Sequence, residues 1–172
     1  MDKIEFKKLL FKVAFCTMAC DGDIDDREIE EMKVMDKHTS FFDHIDLSIE
    51  LSELVNEFHK KGSAVIEELF STLRKTQLNP IQELLVLEVA LRIINADGKH
   101  DENEIRFLQL LRSKLDLHDE IINDRFGDLD ILYTNDYSRN IVTEKMDLEF
   151  AANAQIPDIK DLSEIIQKYK KL

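Results

Sequence analysis

The stretch ACDGDIDDREI, residues 19 to 29, decides how this chain is read. A broad apolar segment runs into it and a narrower amphipathic one leaves it, so it reads as a sharp turn between two helices. Gly22 can take the left-handed conformation that ends a helix. Asp25 can cap the helix that follows, and Glu28, three residues on, closes a capping box. Acidic side chains in that first turn also suit the positive end of the helix dipole.

The same arrangement recurs in NADGKHDENEI, residues 95 to 105. Asp21-Gly22 aligns with Asp97-Gly98, Asp25 with Asp101, Glu28 with Glu104 and Ile29 with Ile105, all at the offset of 76 residues that separates Asp21 from Asp97. Val13-Ala14 matches Val89-Ala90 upstream, and Met32 and Met35 fall opposite Leu108 and Leu111 downstream. A gapless repeat of this kind predicts two copies of one helix-turn-helix unit.

Working outward, Phe6, Leu9, Leu10, Val13 and Thr17 make one helical stripe, which Phe11, Phe15 and Met18 widen. In the second unit nearly every position from Leu84 to Ile94 is apolar, broken by Glu88 and Arg92. Faces this broad mark central helices. The helices after the turns are narrower, carried by Ile29, Met32 and Met35, and by Ile105, Leu108, Leu111 and Leu115. Between the units, Leu47, Leu51, Leu54, Val55 and Phe58 predict a helix stopped at Gly62. Ser63 is expected to cap the next one, which runs through Val65, Ile66, Leu69, Phe70 and Leu73. Asn79-Pro80, with Gln82, signals the start of the second central helix. A helix over about 118 to 132, a break at Asn135-Asp136, a helical segment over 140 to 152 and a last helix after Pro157-Asp158 complete the reading. The expected fold is all-α: a compact bundle of eight or nine helices in a single domain, 1–172. Two pseudo-symmetric units, about 1–76 and 77–132, are followed by a helical C-terminal extension, 133–172.

Composition agrees with this fold. The chain has 172 residues, 44% hydrophobic, with only four Gly and two Pro, too few for the many tight turns of an all-β domain. Acidic side chains outnumber basic ones by 36 to 23, a net charge of -13. Such a surface repels phosphate backbones and anionic headgroups, so nucleic acid is not an expected partner. Cys16 and Cys20 are the only cysteines and lie four apart on a predicted helix, which fits two core residues in a cytoplasmic setting better than a disulfide framework. The N-terminal twenty residues faintly resemble a signal peptide. Lys12 interrupts their apolar run, and residues 4 to 20 repeat as residues 80 to 96 mid-chain, so they are expected to be a core helix. No segment has the ~18 apolar residues of a membrane span.

Capping accounts for Asp25, Glu28, Asp101 and Glu104. It does not account for Asp21 and Asp97, which stand at the negative end of the preceding helix. Each turn can gather three carboxylates, Asp21, Asp25 and Glu28 in one and Asp97, Asp101 and Glu104 in the other, with Asp23 and Asp26 as further oxygens in the first. Hard cations such as Ca²⁺ or Mg²⁺ favour that donor set. Lys99 replaces Asp23 in the second turn, which should therefore bind more weakly. The site is not an EF-hand: Asp26 stands where that loop requires Gly, and Met32 stands where it requires the bidentate Glu. A cation site and a purely structural pair of turns both remain open.

Two blocks, FKVAFCTMACDGDIDDREIEEM and LLVLEVALRIINADGKHDENEI, resemble the TerB-like family, which includes tellurite-resistance proteins and the helical portion of some membrane-tethered DnaJ-type co-chaperones. The resemblance covers residues 1 to 40 and 80 to 115 best. It implies an all-helical fold with pseudo-symmetric halves and clustered acidic residues suspected of metal binding. It further implies a role in stress response or in assembling membrane-associated complexes, without established catalysis. By position the candidate site falls on Asp21, Asp25, Glu28, Asp97, Asp101 and Glu104. The chain departs from the simplest members in its long insert between units and in its tail from residue 133. It carries no His-Pro-Asp motif, so no J domain is expected.

Three functions follow as expectations: a non-catalytic acidic module that binds a divalent cation or uses its acidic turns to hold a partner; a co-chaperone-like scaffold with purely structural turns, whose helical surface holds an unidentified, membrane-associated protein partner; and a helical hydrolase or oxidase with a carboxylate-bridged metal centre. The third is disfavoured. None of the five His has a Glu three residues before it, as di-iron bundles need, and there is no Gly-rich phosphate loop, nucleophile elbow or His-Glu-x-x-His.

Overall fold

The computed structural model describes residues 1–132 and 144–170. Among the described residues there are nine α-helices and no strand: α1 (Lys3–Ala19), α2 (Asp26–His38), α3 (Leu47–Lys61), α4 (Ala64–Lys75), α5 (Pro80–Ala96), α6 (Glu102–Ser113), α7 (Asp119–Phe126), α8 (Glu144–Asn153) and α9 (Ile159–Lys170). The expectation of an all-α bundle is met. The break foreseen at Asn135-Asp136, and the beginning of the segment foreseen over 140 to 152, lie outside the described residues.

The two broad-faced helices are the centre of the bundle, and α1 and α5 pack against each other. In α1 every residue from Leu9 to Ala19 except Lys12 is buried, as its doubled stripe requires, and in α5 Val86, Leu87, Val89, Ala90, Leu91, Ile93 and Ile94 are buried. The narrower helices after the turns lie outside them, α2 against α5 and α6 against α5 and α1, while α3 and α4 flank α1. Aromatic contacts lock these layers: Phe11 meets Phe42 edge-on at 5.5 Å between centroids, Phe15 lies 5.3 Å from Phe58, and Phe70 lies 5.4 Å from Phe107. Such pairs contribute about 0.5–1.5 kcal/mol each beyond the area they bury.

Local chemistry explains most boundaries. Asn79 caps α5 and Gln82 returns the bond, with Pro80 in the first turn. Gly62 ends α3 at φ 57°. The acids near the N-terminus serve the helix that follows them: Asp2 and Glu5 form a capping box for α1.

Two expectations are corrected. Ser63 makes no side-chain cap bond, because its own backbone is already helical and the cap geometry needs an extended residue. The helix foreseen over 118 to 132 ends at Phe126, where Gly127 turns the chain at φ 79°, and only a short 3-10 turn at Asp130–Leu132 follows. Leu129, Ile131 and Leu132 reach the core from outside the α-helix.

Candidate functional site

Both acidic turns fold as their sequences dictate, bond for bond. Gly22 and Gly98 have φ of 86° and 71°. The Asp21 Oδ1 accepts from Asp23 N–H at 3.0 Å, and the Asp97 Oδ1 from Lys99 N–H at 2.8 Å. Asp25 N–H donates to Glu28 Oε2 and Asp101 N–H to Glu104 Oε2, both at 2.9 Å. Asp25 Oδ1 accepts from Arg27 N–H, and Asp101 Oδ1 from Asn103 N–H. Asp21 and Asp97, which capping leaves unexplained, thus each have a local structural role, since the carboxylate closes an Asx turn over the glycine.

The two turns meet, which their separation along the chain does not reveal. Together they line a single cleft of about 320 Å³, walled by Asp21, Asp23, Asp25, Glu28, Asp97, Lys99, His100, Asp101 and Glu104. All six carboxylates singled out by the repeat are therefore on one cleft, where the sequence suggested one site per turn. Of the two further acids, Asp23 joins the lining, whereas Asp26 faces Lys168 of α9 at 2.5 Å. Arg27 ties the turns together: its Nη1 donates to the backbone oxygen of Asp97 at 3.0 Å while its Nε and Nη2 hold both oxygens of Asp25. Nothing in the repeat marks Arg27, because the second unit has Asn103 in its place.

Electrostatics follow from that convergence. Glu28 and Glu104 are 3% and 4% exposed, the only acids of the six to be buried. Burial first, then repulsion from Glu104, Asp21 and Asp97, pushes the Glu28 carboxyl up to about 9. Burial, then Asp21, Asp97 and Asp101, pushes Glu104 up to about 7. Asp21 is raised by burial and by Asp101. Asp25 goes the other way, held well below the usual carboxylate range by its bonds to Arg27. The two cysteines are buried, free thiols. Burial pushes Cys16 up to about 12, and Cys20 is raised by burial and by Asp21, Glu104 and Glu28.

The donor chemistry suits a hard cation. The local bonds engage one oxygen each of Asp21, Glu28, Asp97, Asp101 and Glu104, and among the described residues no further bond engages the second. Asp25 is fully engaged by Arg27. Among the described residues no three His, Cys, Asp or Glu side chains are placed to hold one metal ion as they stand.

A family model described as "Tellurite resistance protein TerB" matches residues 8–124. The chain belongs to the TerB family. The TerB match spans both acidic turns and the helices that carry them, and stops within α7, so α8 and α9 lie beyond it. No curated protein and no solved structure gives a significant match. Among the described residues no helix is long and apolar enough to cross a membrane.

Proposed function

We propose that this TerB protein is a non-catalytic acidic module that takes up a divalent cation, Ca²⁺ or Mg²⁺, between its two turns, in a cytoplasmic stress response of the tellurite-resistance kind. One observation carries the reading: six carboxylates from turns 76 residues apart share one cleft, and two of them, Glu28 and Glu104, are buried there without a basic partner among the described residues. A hard cation would relieve the mutual repulsion that now raises Glu28, Glu104 and Asp21. Asp21, Glu28, Asp97, Asp101 and Glu104 would supply oxygens, and Asp25 less so, being engaged by Arg27. Since no three are in chelating position, small side-chain rotations would accompany binding.

A second reading has its own support. Each of the six carboxylates accepts a local backbone N–H, so the turns are complete without a ligand. The helical surface would then do the work, as a co-chaperone-like scaffold for a protein partner, membrane-associated as in related assemblies.

Thermal melting in increasing Ca²⁺ or Mg²⁺ separates the two. Wild type is expected to gain stability with cation, by about 2.7 kcal/mol at a hundredfold excess over Kd. Asp21→Asn with Asp97→Asn, which keeps both Asx turns, is expected to lose that gain. Melting curves indifferent to millimolar cation would sink the cation reading and leave the scaffold.

A further inference from the structure

Residues 144–170 lie beyond the family match, yet Gln155 among them lies against Gly22 of the first acidic turn. One end is anchored at Asp147 of α8. Its buried carboxylate accepts from Arg74 Nη2 of α4 and from Lys114 Nζ, at 2.6 Å, just past the end of α6. Phe150 of the same helix closes on Phe70 and Phe107, at 6.2 and 6.3 Å between centroids. The other end is anchored by α9, which packs on α3 and α2, buries Leu162 and Ile165, and pairs Lys168 with Asp26. Between the anchors the chain crosses Gly22. A Cβ on Gly22 would stand 2.9 Å from Gln155 Cβ, closer than real Cβ atoms come, and a tight 3.1 Å from the Gln155 backbone oxygen. At Gly98, the matching residue of the second turn, a Cβ would meet nothing within 4 Å.

We propose that residues 144–170 form a strap that clamps the first acidic turn directly and reaches the second only through Arg27, with the Asp147 ion pairs as its latch. The contact at Gly22 is with backbone and Cβ, not with the flexible end of a side chain, so the turn cannot shift outward without lifting the strap. Asp26, at the start of α2, is held from the same side by Lys168. Anything that moves the first turn therefore moves the strap, and by reciprocity anything that draws off the strap frees the turn. Release of the latch also leaves the buried Lys114 without its carboxylate, which makes release costly. The clamp is made by packing alone, whichever ligand the cleft takes.

Hydrogen exchange on the full chain, without added cation, tests it. Asp147→Asn is expected to speed exchange about tenfold or more in residues 144–170 and in residues 20–28 together, while residues 97–104, joined to the first turn through Arg27, loosen distinctly less. A loosened strap over an unchanged 20–28 would overturn the proposal, as would equal loosening of both turns. If Asp147→Asn does not fold, Gly22→Ala decides: it is expected to speed exchange at residues 150–158, and Gly98→Ala is not. Unchanged protection of 150–158 in Gly22→Ala overturns the clamp.

Discussion

The Nη1 of Arg27 donates to the backbone oxygen of Asp97 at 3.0 Å, so the start of α2 is bonded to the end of α5 across 70 residues of chain. The same guanidinium embraces Asp25 with its other two nitrogens. One side chain thereby joins the two acidic turns and holds the Asp25 carboxyl well below the usual carboxylate range. In Arg27→Ala, the Asp25 carboxyl is expected to titrate upward toward the ordinary range, seen as a shifted midpoint in an NMR titration of its side-chain carbon. An unmoved midpoint would mean that the guanidinium is not what holds it down.

The buried glutamates make a signed pH prediction. Glu28 and Glu104 have folded-state values raised from 4.5 to about 9 and about 7, so the folded state binds protons that the unfolded state has released. Their contribution to stability is full below the ordinary glutamate range and is lost as pH rises through about 7 and then about 9. Glu28→Gln with Glu104→Gln keeps both capping acceptors and removes the titration. Urea denaturation at pH 6 and pH 9 is expected to show wild type losing stability that the double variant retains, a difference on the order of a few kcal/mol. Parallel losses in the two proteins would contradict the burial argument.

Caps give a contrast within one molecule. Asp2→Ala removes the side-chain acceptor of the α1 capping box and is expected to cost about 1 kcal/mol. Ser63→Ala removes no cap bond and is expected to be close to neutral. Equal effects at the two positions would show that cap geometry is not what matters.

Glycine replacement reads the surroundings of each turn. Both Gly22→Ala and Gly98→Ala force a side chain into left-handed backbone, at about 1–2 kcal/mol. Gly22→Ala must also displace Gln155, so it is expected to be worse by about 1 kcal/mol or more, measured as the shift in denaturation midpoint.

Cys16 and Cys20 are expected to resist an aromatic disulfide reagent in the folded protein and to react together on unfolding, since both thiols are buried and their proton affinity is raised. Rapid reaction of either under native conditions would show that α1 opens locally.

Much of this was legible in the residues, and the parts that were not share a cause. The caps at Asp25, Asp101 and Asn79 and the stops at Gly22, Gly62 and Gly98 are decided within four or five residues, so local chemistry suffices to place them. The local role of Asp21 and Asp97 was legible in principle as an Asx turn, because the accepted N–H is only two residues away. The meeting of the turns was not. It depends on how α1 lies against α5, which the pattern of apolar residues demands without fixing the registry. The roles of Arg27, Gln155 and Lys168 are long-range for the same reason: each is an ordinary polar side chain until a distant segment is set beside it.

Four of the described helices begin with a capping box, and they do not use the same letters. At α5 the box is Asn79 with Gln82, two neutral amides that satisfy the backbone as fully as acids would. At α1 the acid, Glu5, is exposed, where its charge is hydrated and harmless. At α2 and α6 the box is built with Glu28 and Glu104, buried beside other carboxylates that together with burial raise their proton affinity. A glutamine at either place would cap the helix and spare the fold the repulsion. The chain thus keeps an ionisable spelling where the amide would be the more stable word, and keeps it twice, facing the same cleft.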